Sequence, residues 1–167
     1  METGKQKILI TGASSGLGRE LAHQFAQKGN VELILVARRK EALEKVAKKC
    51  SSFENVKTRV FSVDIGSQEQ VEKLLSSVND IDILINGAGY GIMKDFSEFS
   101  DAEVVNMFDT NVIGTIQLTT EIAKRMREKK SGTIVTIASL AGKIATPKSS
   151  VYSGTKFALI GYFNSLR

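Results

Sequence analysis

The chain has 167 residues, 42% of them apolar and 25% charged, with a net charge of +5. That balance suits a single domain with a sizeable core and excludes disordered and collagen-like classes. The lysines come without interleaved stacking aromatics, which argues against a nucleic-acid surface. Cys50 is the lone cysteine, so no intrachain disulfide is possible. No apolar run approaches the length of a membrane span, and Met1-Glu2-Thr3-Gly4-Lys5 lacks a signal-peptide core. The expected location is therefore the cytoplasm.

Apolar runs alternate with amphipathic stretches along the whole chain. Residues 7–11 read as a first strand. The turn Thr11-Gly12-Ala13-Ser14-Ser15-Gly16-Leu17-Gly18 follows and opens a helix over 16–28, with Leu21, Ala22, Phe25 and Ala26 on one side. A strand, a glycine-rich turn and a helix in that order let a backbone approach a pyrophosphate, whose charge sits against free N–H groups at the helix start. Without a ligand, the same residues simply connect a strand to a helix. Gly29-Asn30 closes the helix. Residues 31–37 form a second strand, and 40–49 a second helix with Leu43, Val46 and Ala47 inward. The third strand, 56–63, is less purely apolar and is expected near an edge. Ser67-x-x-Gln70 reads as a capping box opening a helix to Val78. A fourth strand over 81–85 leads into a second glycine loop, Asn86-Gly87-Ala88-Gly89-Tyr90-Gly91.

Ser100-x-x-Glu103 is a second capping box, opening one long helix to about Lys129. Val104, Val105, Phe108, Val112, Ile116, Ile122 and Met126 recur in it at helical spacing. Residues 132–138 are a fifth strand. A polar loop then carries the only proline, Pro147, and a last helix begins near Val151 and is still in progress at Arg167. His23, also alone of its kind, reads as a structural residue rather than a metal ligand. Strands alternating with helices predict βαβ units, right-handed crossovers and a parallel sheet. Nearly continuous apolar strands predict a sheet covered on both faces. The fold class is therefore α/β, doubly wound and Rossmann-like, with Gly12, Arg38, Asp64, Asn86 and Ser139 along one edge of the sheet, where such folds bind ligands.

The second strand ends in Arg38-Arg39. NAD-binding folds usually carry a carboxylate there to accept from the ribose 2′-hydroxyl. Arginine cannot accept, but it can pair with a 2′-phosphate, so NADP(H) is favoured over NAD(H). Asp64 is a candidate acceptor for the adenine amino group, with Ile65 beside it. Asn86, Gly87, Ala88 and Gly89 are candidates for backbone contact with the cofactor. The last helix carries Tyr152-x-x-x-Lys156, and residues four apart share a helix face. An ammonium beside a phenol stabilises the phenolate, and such a pair can protonate a carbonyl oxygen. Ser139, at the end of the fifth strand, could hold a developing alkoxide.

Taken together these residues resemble the short-chain dehydrogenase/reductase family over the whole chain. The shared features are the TGASSGLG turn, Asp64, the NGAG loop from Asn86 to Gly89, Asn111, Ser139, and Tyr152 with Lys156. The resemblance implies that Tyr152 is the general acid in reduction and the base in oxidation. Lys156 would assist it and bind the nicotinamide ribose. Ser139 would polarise the substrate carbonyl, and Asn111 would hold a water linking Lys156 to solvent. Gly12, Ser14, Ser15, Gly16, Leu17 and Gly18 would hold the pyrophosphate. It also implies a strand order of 3-2-1-4-5, a small carbonyl or alcohol substrate, and a homodimer or homotetramer.

The sequence departs from the family pattern twice. Gly87 stands where the family usually has a second Asn, which removes side-chain hydrogen bonds that brace the loop. Family members also run on well past Arg167, adding two strands and the segments that hold nicotinamide and substrate. Stopping there leaves the fifth strand as an apolar edge, an aggregation hazard. The expectation is a piece of a longer protein, or a chain covered by another subunit. The competing reading is a non-catalytic nucleotide-binding or interaction module.

Overall fold

The computed structural model describes residues 4–166. Residues 1–3, on which the expected lack of a leader partly rests, and Arg167 lie outside the described residues. Five parallel strands, β1 (Gln6–Thr11), β2 (Val31–Ala37), β3 (Val56–Ser62), β4 (Ile83–Asn86) and β5 (Thr133–Thr136), form one sheet in the order β3-β2-β1-β4-β5. The helices are α1 (Gly16–Lys28), α2 (Lys40–Cys50), α3 (Gln68–Ser77), α4 (Asp101–Phe108), α5 (Gly114–Glu128) and α6 (Ser150–Ser165).

Successive strand residues point to opposite faces, so an unbroken apolar strand feeds two cores at once. Ile8, Ile10, Leu33 and Leu35 pack with Ala22 and Ala26 of α1 and with Leu43 and Val46 of α2. Leu9, Ile34, Val36 and Leu84 pack on the other face with Leu74 of α3 and Leu118 and Ile122 of α5. The sheet is doubly wound for that reason. β3 alternates because it is an edge, as does β5 at the other side. No helix among the described residues is long and apolar enough to cross a membrane.

Two local expectations are altered by the structure. Ser67 is the N-cap of α3, but its side chain makes no capping bond, and Gln70 instead accepts from the Asp64 N–H at 2.8 Å. The tight turn at Asp64 takes the acceptor that the box would have used. Second, the long helix runs from Asp101 to Glu128 as expected but carries a π turn over Asp109–Ile113, which divides it into α4 and α5. Within the helix Val105 faces outward while Met107, Val112, Leu118 and Ile122 are buried. α6 runs to Ser165, and the expectation that the helix is still in progress at Arg167 falls on a residue outside those described. The Ser100–Glu103 box forms with both of its reciprocal bonds.

The carboxyl ends of β1 and β4 are bound tightly together. The Thr11 hydroxyl accepts from the Gly87 and Ala88 N–H groups, each at 3.1 Å. Gly12 has φ +70°, and a Cβ there would lie 2.5 Å from the Gly87 carbonyl oxygen. The two glycine loops thus lie backbone against backbone at the sheet edge.

Candidate active site

The first glycine turn forms the floor of a cleft of about 390 Å³. Gly12, Ser14, Ser15, Gly16, Leu17 and Gly18 line it from the turn, Arg38 and Arg39 from the end of β2, and Asp64 and Ile65 from beyond β3. Gly87, Ala88 and Gly89 close the opposite side. These segments meet because every parallel strand leaves the sheet at the same edge. Tyr90, Thr110 and Ile137 also line the cleft and were not singled out from the sequence. Thr11, at the start of the turn, ties the two glycine loops together. Its one signal is a hydroxyl ending an otherwise apolar strand.

The start of α1 is built without internal compensation. Ser15, its N-cap, makes no side-chain capping bond, and no acidic residue stands in the first turn. A helix start left in that state favours an anion. The Ser15 hydroxyl faces Arg39 instead: Arg39 Nη2 donates to Ser15 Oγ at 2.8 Å and to Ser14 Oγ at 3.2 Å. Arg38 leans the other way, with Nη1 4.0 Å from Asp64 Oδ2. Asp64 Oδ1 accepts from the Gly66 N–H at 2.9 Å. Asn86 stands apart from the cleft. It is buried, and its Nδ2 donates to Thr119 Oγ1 at 2.9 Å and Thr136 Oγ1 at 3.2 Å.

Lys156 and Asn111 both reach the same side of Gly89, one of the residues that close the cleft. A Cβ on Gly89 would lie 3.1 Å from Asn111 Oδ1 and 3.6 Å from Lys156 Nζ. Lys156 is only 5% exposed. Its Nζ donates to the Ile137 carbonyl at 3.2 Å and lies 5.7 Å from the centroid of the Tyr152 ring. Burial pushes its pKa below the usual lysine value. The Tyr152 ring lies over Gly91, where a Cβ would come within 2.8 Å of Cδ2. Asn111 sits in the π turn, fully buried. Its Oδ1 accepts from the Tyr90 N–H at 3.0 Å, and its Nδ2 donates to the Tyr90 carbonyl at 2.8 Å and Thr155 Oγ1 at 3.1 Å. Ser139 Oγ accepts from the Ala141 N–H at 3.2 Å and starts the 3-10 turn Leu140–Gly142. That turn rests on α6, since a Cβ on Gly142 would lie 2.8 Å from the Lys156 carbonyl oxygen.

The family model described as short chain dehydrogenase matches residues 6–167. The chain belongs to the short-chain dehydrogenase family. The coarse class is thus that of the oxidoreductases. Among curated short-chain dehydrogenases, the chain is 38% identical to human dehydrogenase/reductase SDR family member 7, over 96% of this chain and 49% of that protein. It is 34% identical to the NADP-dependent 3-hydroxy acid dehydrogenase of Schizosaccharomyces pombe, over 96% of this chain and 64% of that protein. The chain thus spans about half the length of relatives such as the first. Among solved structures, the bulky-bulky ketone specific alcohol dehydrogenase from Comamonas testosteroni superposes with a TM-score of 0.92 at 28% identity, covering 98% of this chain and 67% of that one. A short-chain dehydrogenase from Sphingobium yanoikuyae in complex with NADPH gives 0.90 at 30% identity, covering 96% of this chain and 64% of that one.

Proposed function

We propose that this chain is a single Rossmann-type domain carrying the cofactor-binding and proton-transfer residues of an NADP(H)-dependent oxidoreductase that acts on a small carbonyl or alcohol compound. The observation that carries this reading is the meeting of Lys156, Asn111 and Tyr152 around the glycine loop that closes the cleft. The donor set of the cleft suits a dinucleotide. Its floor is glycine backbone that a Cβ would obstruct, and α1 presents an uncompensated N-terminus. The choice of NADP(H) is supported by Arg39, which already sits on two serine hydroxyls as a ready anion cradle. A 2′-phosphate is the group that such a cradle would take.

When bound, the nicotinamide supplies or accepts a hydride. The protein's own part is the proton. Tyr152 gives its phenolic proton to the carbonyl oxygen in reduction and takes one from the alcohol in oxidation. Lys156 holds a cation under that ring, which stabilises negative charge on the phenolic oxygen. Ser139 orients the substrate oxygen. Asn111 braces the loop through both backbone groups of Tyr90 and holds a water that lets Lys156 exchange protons with solvent. A homodimer or homotetramer is the proposed assembly, with the exposed side chains Val105, Ile113 and Phe157 of α4, the π turn and α6 at its interface.

The test is titration with NADPH and NADH, followed by turnover with a carbonyl panel. NADPH is expected to bind at least about tenfold more tightly than NADH, a difference of about 1.4 kcal/mol, and Arg39→Ala should erase that preference. Tyr152→Phe should keep NADPH binding and lose turnover by about 10²-fold or more. Undiminished turnover in Tyr152→Phe would reject the assigned acid. A non-catalytic nucleotide-binding module is the second reading. It predicts NADPH binding with no turnover.

A further inference from the structure

The Tyr152 ring rests on the loop that follows β4. A Cβ on Gly91 would lie 2.8 Å from Cδ2 of that ring, 2.9 Å from Cγ and 3.3 Å from Cε2. Carbon atoms in ordinary contact stand about 3.5–4.0 Å apart. Unlike Gly12, Gly91 has no positive φ, so the exclusion of a side chain comes from the ring and not from the backbone. Cγ is bonded directly to the Tyr152 Cβ, so the ring cannot make room by swinging its far end. The ring as a whole, or the loop, has to give.

The loop is held on both sides of Gly91. Before it, Asn111 accepts from the Tyr90 N–H at 3.0 Å and donates to the Tyr90 carbonyl at 2.8 Å. After it, the Lys94 N–H donates to the Lys148 carbonyl at 3.0 Å, in the segment that leads into α6. The helix that carries the ring is tied to the same amide. Asn111 Nδ2 donates to Thr155 Oγ1 at 3.1 Å, and that hydroxyl donates to the Tyr152 carbonyl at 2.7 Å. Asn111 and Thr155 are both fully buried. One buried side chain thus registers the loop under the ring against the backbone of the ring's own residue. With both backbones fixed, a Cβ at position 91 is relieved by turning the Tyr152 side chain. To regain an ordinary contact the ring would move by roughly 1 Å, and a misplacement of that size costs on the order of 10²-fold in rate.

We propose that Gly91 is a positioning residue for Tyr152: its bare backbone is the seat of the phenol ring, and its lack of a side chain sets where the phenolic oxygen stands. The inference rests on the oxidoreductase reading above and adds to it a residue that touches neither the cleft nor the transferred proton.

The test compares wild type, Gly91→Ala, Tyr152→Ala and the double variant, each isotope-labelled in its tyrosine rings and followed by NMR. The Tyr152 signal is assigned by its loss in Tyr152→Ala. Gly91→Ala should move that signal and leave the Tyr162 signal in place. It should lower the thermal midpoint by about 2 °C or more when Tyr152 is present, and leave it unchanged in the Tyr152→Ala background, where no ring meets the new methyl group. If Gly91→Ala alone does not fold, the double variant should still fold as Tyr152→Ala does. NADPH affinity should stay within about twofold, because Gly91 does not line the cleft. On the panel carbonyl that wild type reduces fastest, kcat should fall by about 10²-fold with KM changed far less, the mark of a misplaced reacting group. A Tyr152 signal that stays in place, or an equal stability cost with and without the ring, overturns the proposal. So does a loss of turnover matched by an equal loss of NADPH affinity. Undiminished turnover in Tyr152→Phe rejects the assigned acid instead, and the ring signal and the stability comparison still decide whether Gly91 seats the ring.

Discussion

At the scale of single residues, the most demanding position is Gly12. Its φ of +70° disfavours any side chain, and a Cβ would meet the backbone of Gly87 at 2.5 Å and of Ala88 at 2.9 Å. Neither neighbour can rotate away as a flexible side chain could. Gly12→Ala is therefore expected to cost at least about 2 kcal/mol, from left-handed strain of about 1–3 kcal/mol with the clash added. It should also weaken NADPH binding about tenfold or more, because relief of the clash separates the two loops. Urea unfolding and NADPH titration measure the two effects, and wild-type values in both would show that the loops are not held together here. Glycine at position 12 was legible as a turn residue, but its contact with Gly87 was not, because that contact joins residues far apart in sequence. The arginine pair shows the same limit. The sequence gives two adjacent cations, yet only the fold sends Arg38 toward Asp64 and Arg39 toward Ser14 and Ser15.

At the scale of elements, two similar capping motifs ended differently. Ser67-x-x-Gln70 lost its acceptor to the Asp64 turn, whereas Ser100-x-x-Glu103 closed fully. Local spacing could not separate them, since the competing donor belongs to the turn geometry. The Asn111 turn was equally hidden, because helical periodicity reads through a single π turn. The intact box makes a pH prediction. Lys94 Nζ and then the Ser100 N–H and hydroxyl hold the Glu103 carboxyl down at about 2. The unfolded value is near 4.3. A lowered acid stabilises the fold fully above the unfolded value and loses that contribution as pH falls through the folded one. The start of α4 and its tie to Lys94 should therefore loosen between about pH 4 and pH 2. Glu103→Gln should be less stable than wild type at neutral pH and should converge with it near pH 2. Parallel stability curves across that range would show that the carboxylate contributes nothing.

At the scale of the whole molecule, the order of the strands follows from alternation and right-handed crossovers, and both were visible in the sequence. What the outer strand does was visible as well, because an apolar run at the end of such an order has one side unpaired. In the structure β5 pairs with β4 alone, and Val135 is 44% exposed. Unpaired backbone groups beside exposed aliphatic surface form a template for another strand. Fully burying one valine contributes about 1.5–3 kcal/mol, and a symmetric contact would bury two partly exposed copies. As these 167 residues alone, the chain should therefore associate through this edge in a concentration-dependent way, in addition to the α4 and α6 contact proposed above. Val135→Lys should weaken that association by at least about tenfold, since a charged edge opposes pairing. Val135 does not line the cleft, whereas Ile137, two residues on, does. NADPH binding should accordingly survive the substitution. Sedimentation velocity over a dilution series distinguishes the outcomes. Equal association by both proteins would leave the contact on α4 and α6 alone, and a monomeric chain at all concentrations would mean that β5 tolerates its open edge.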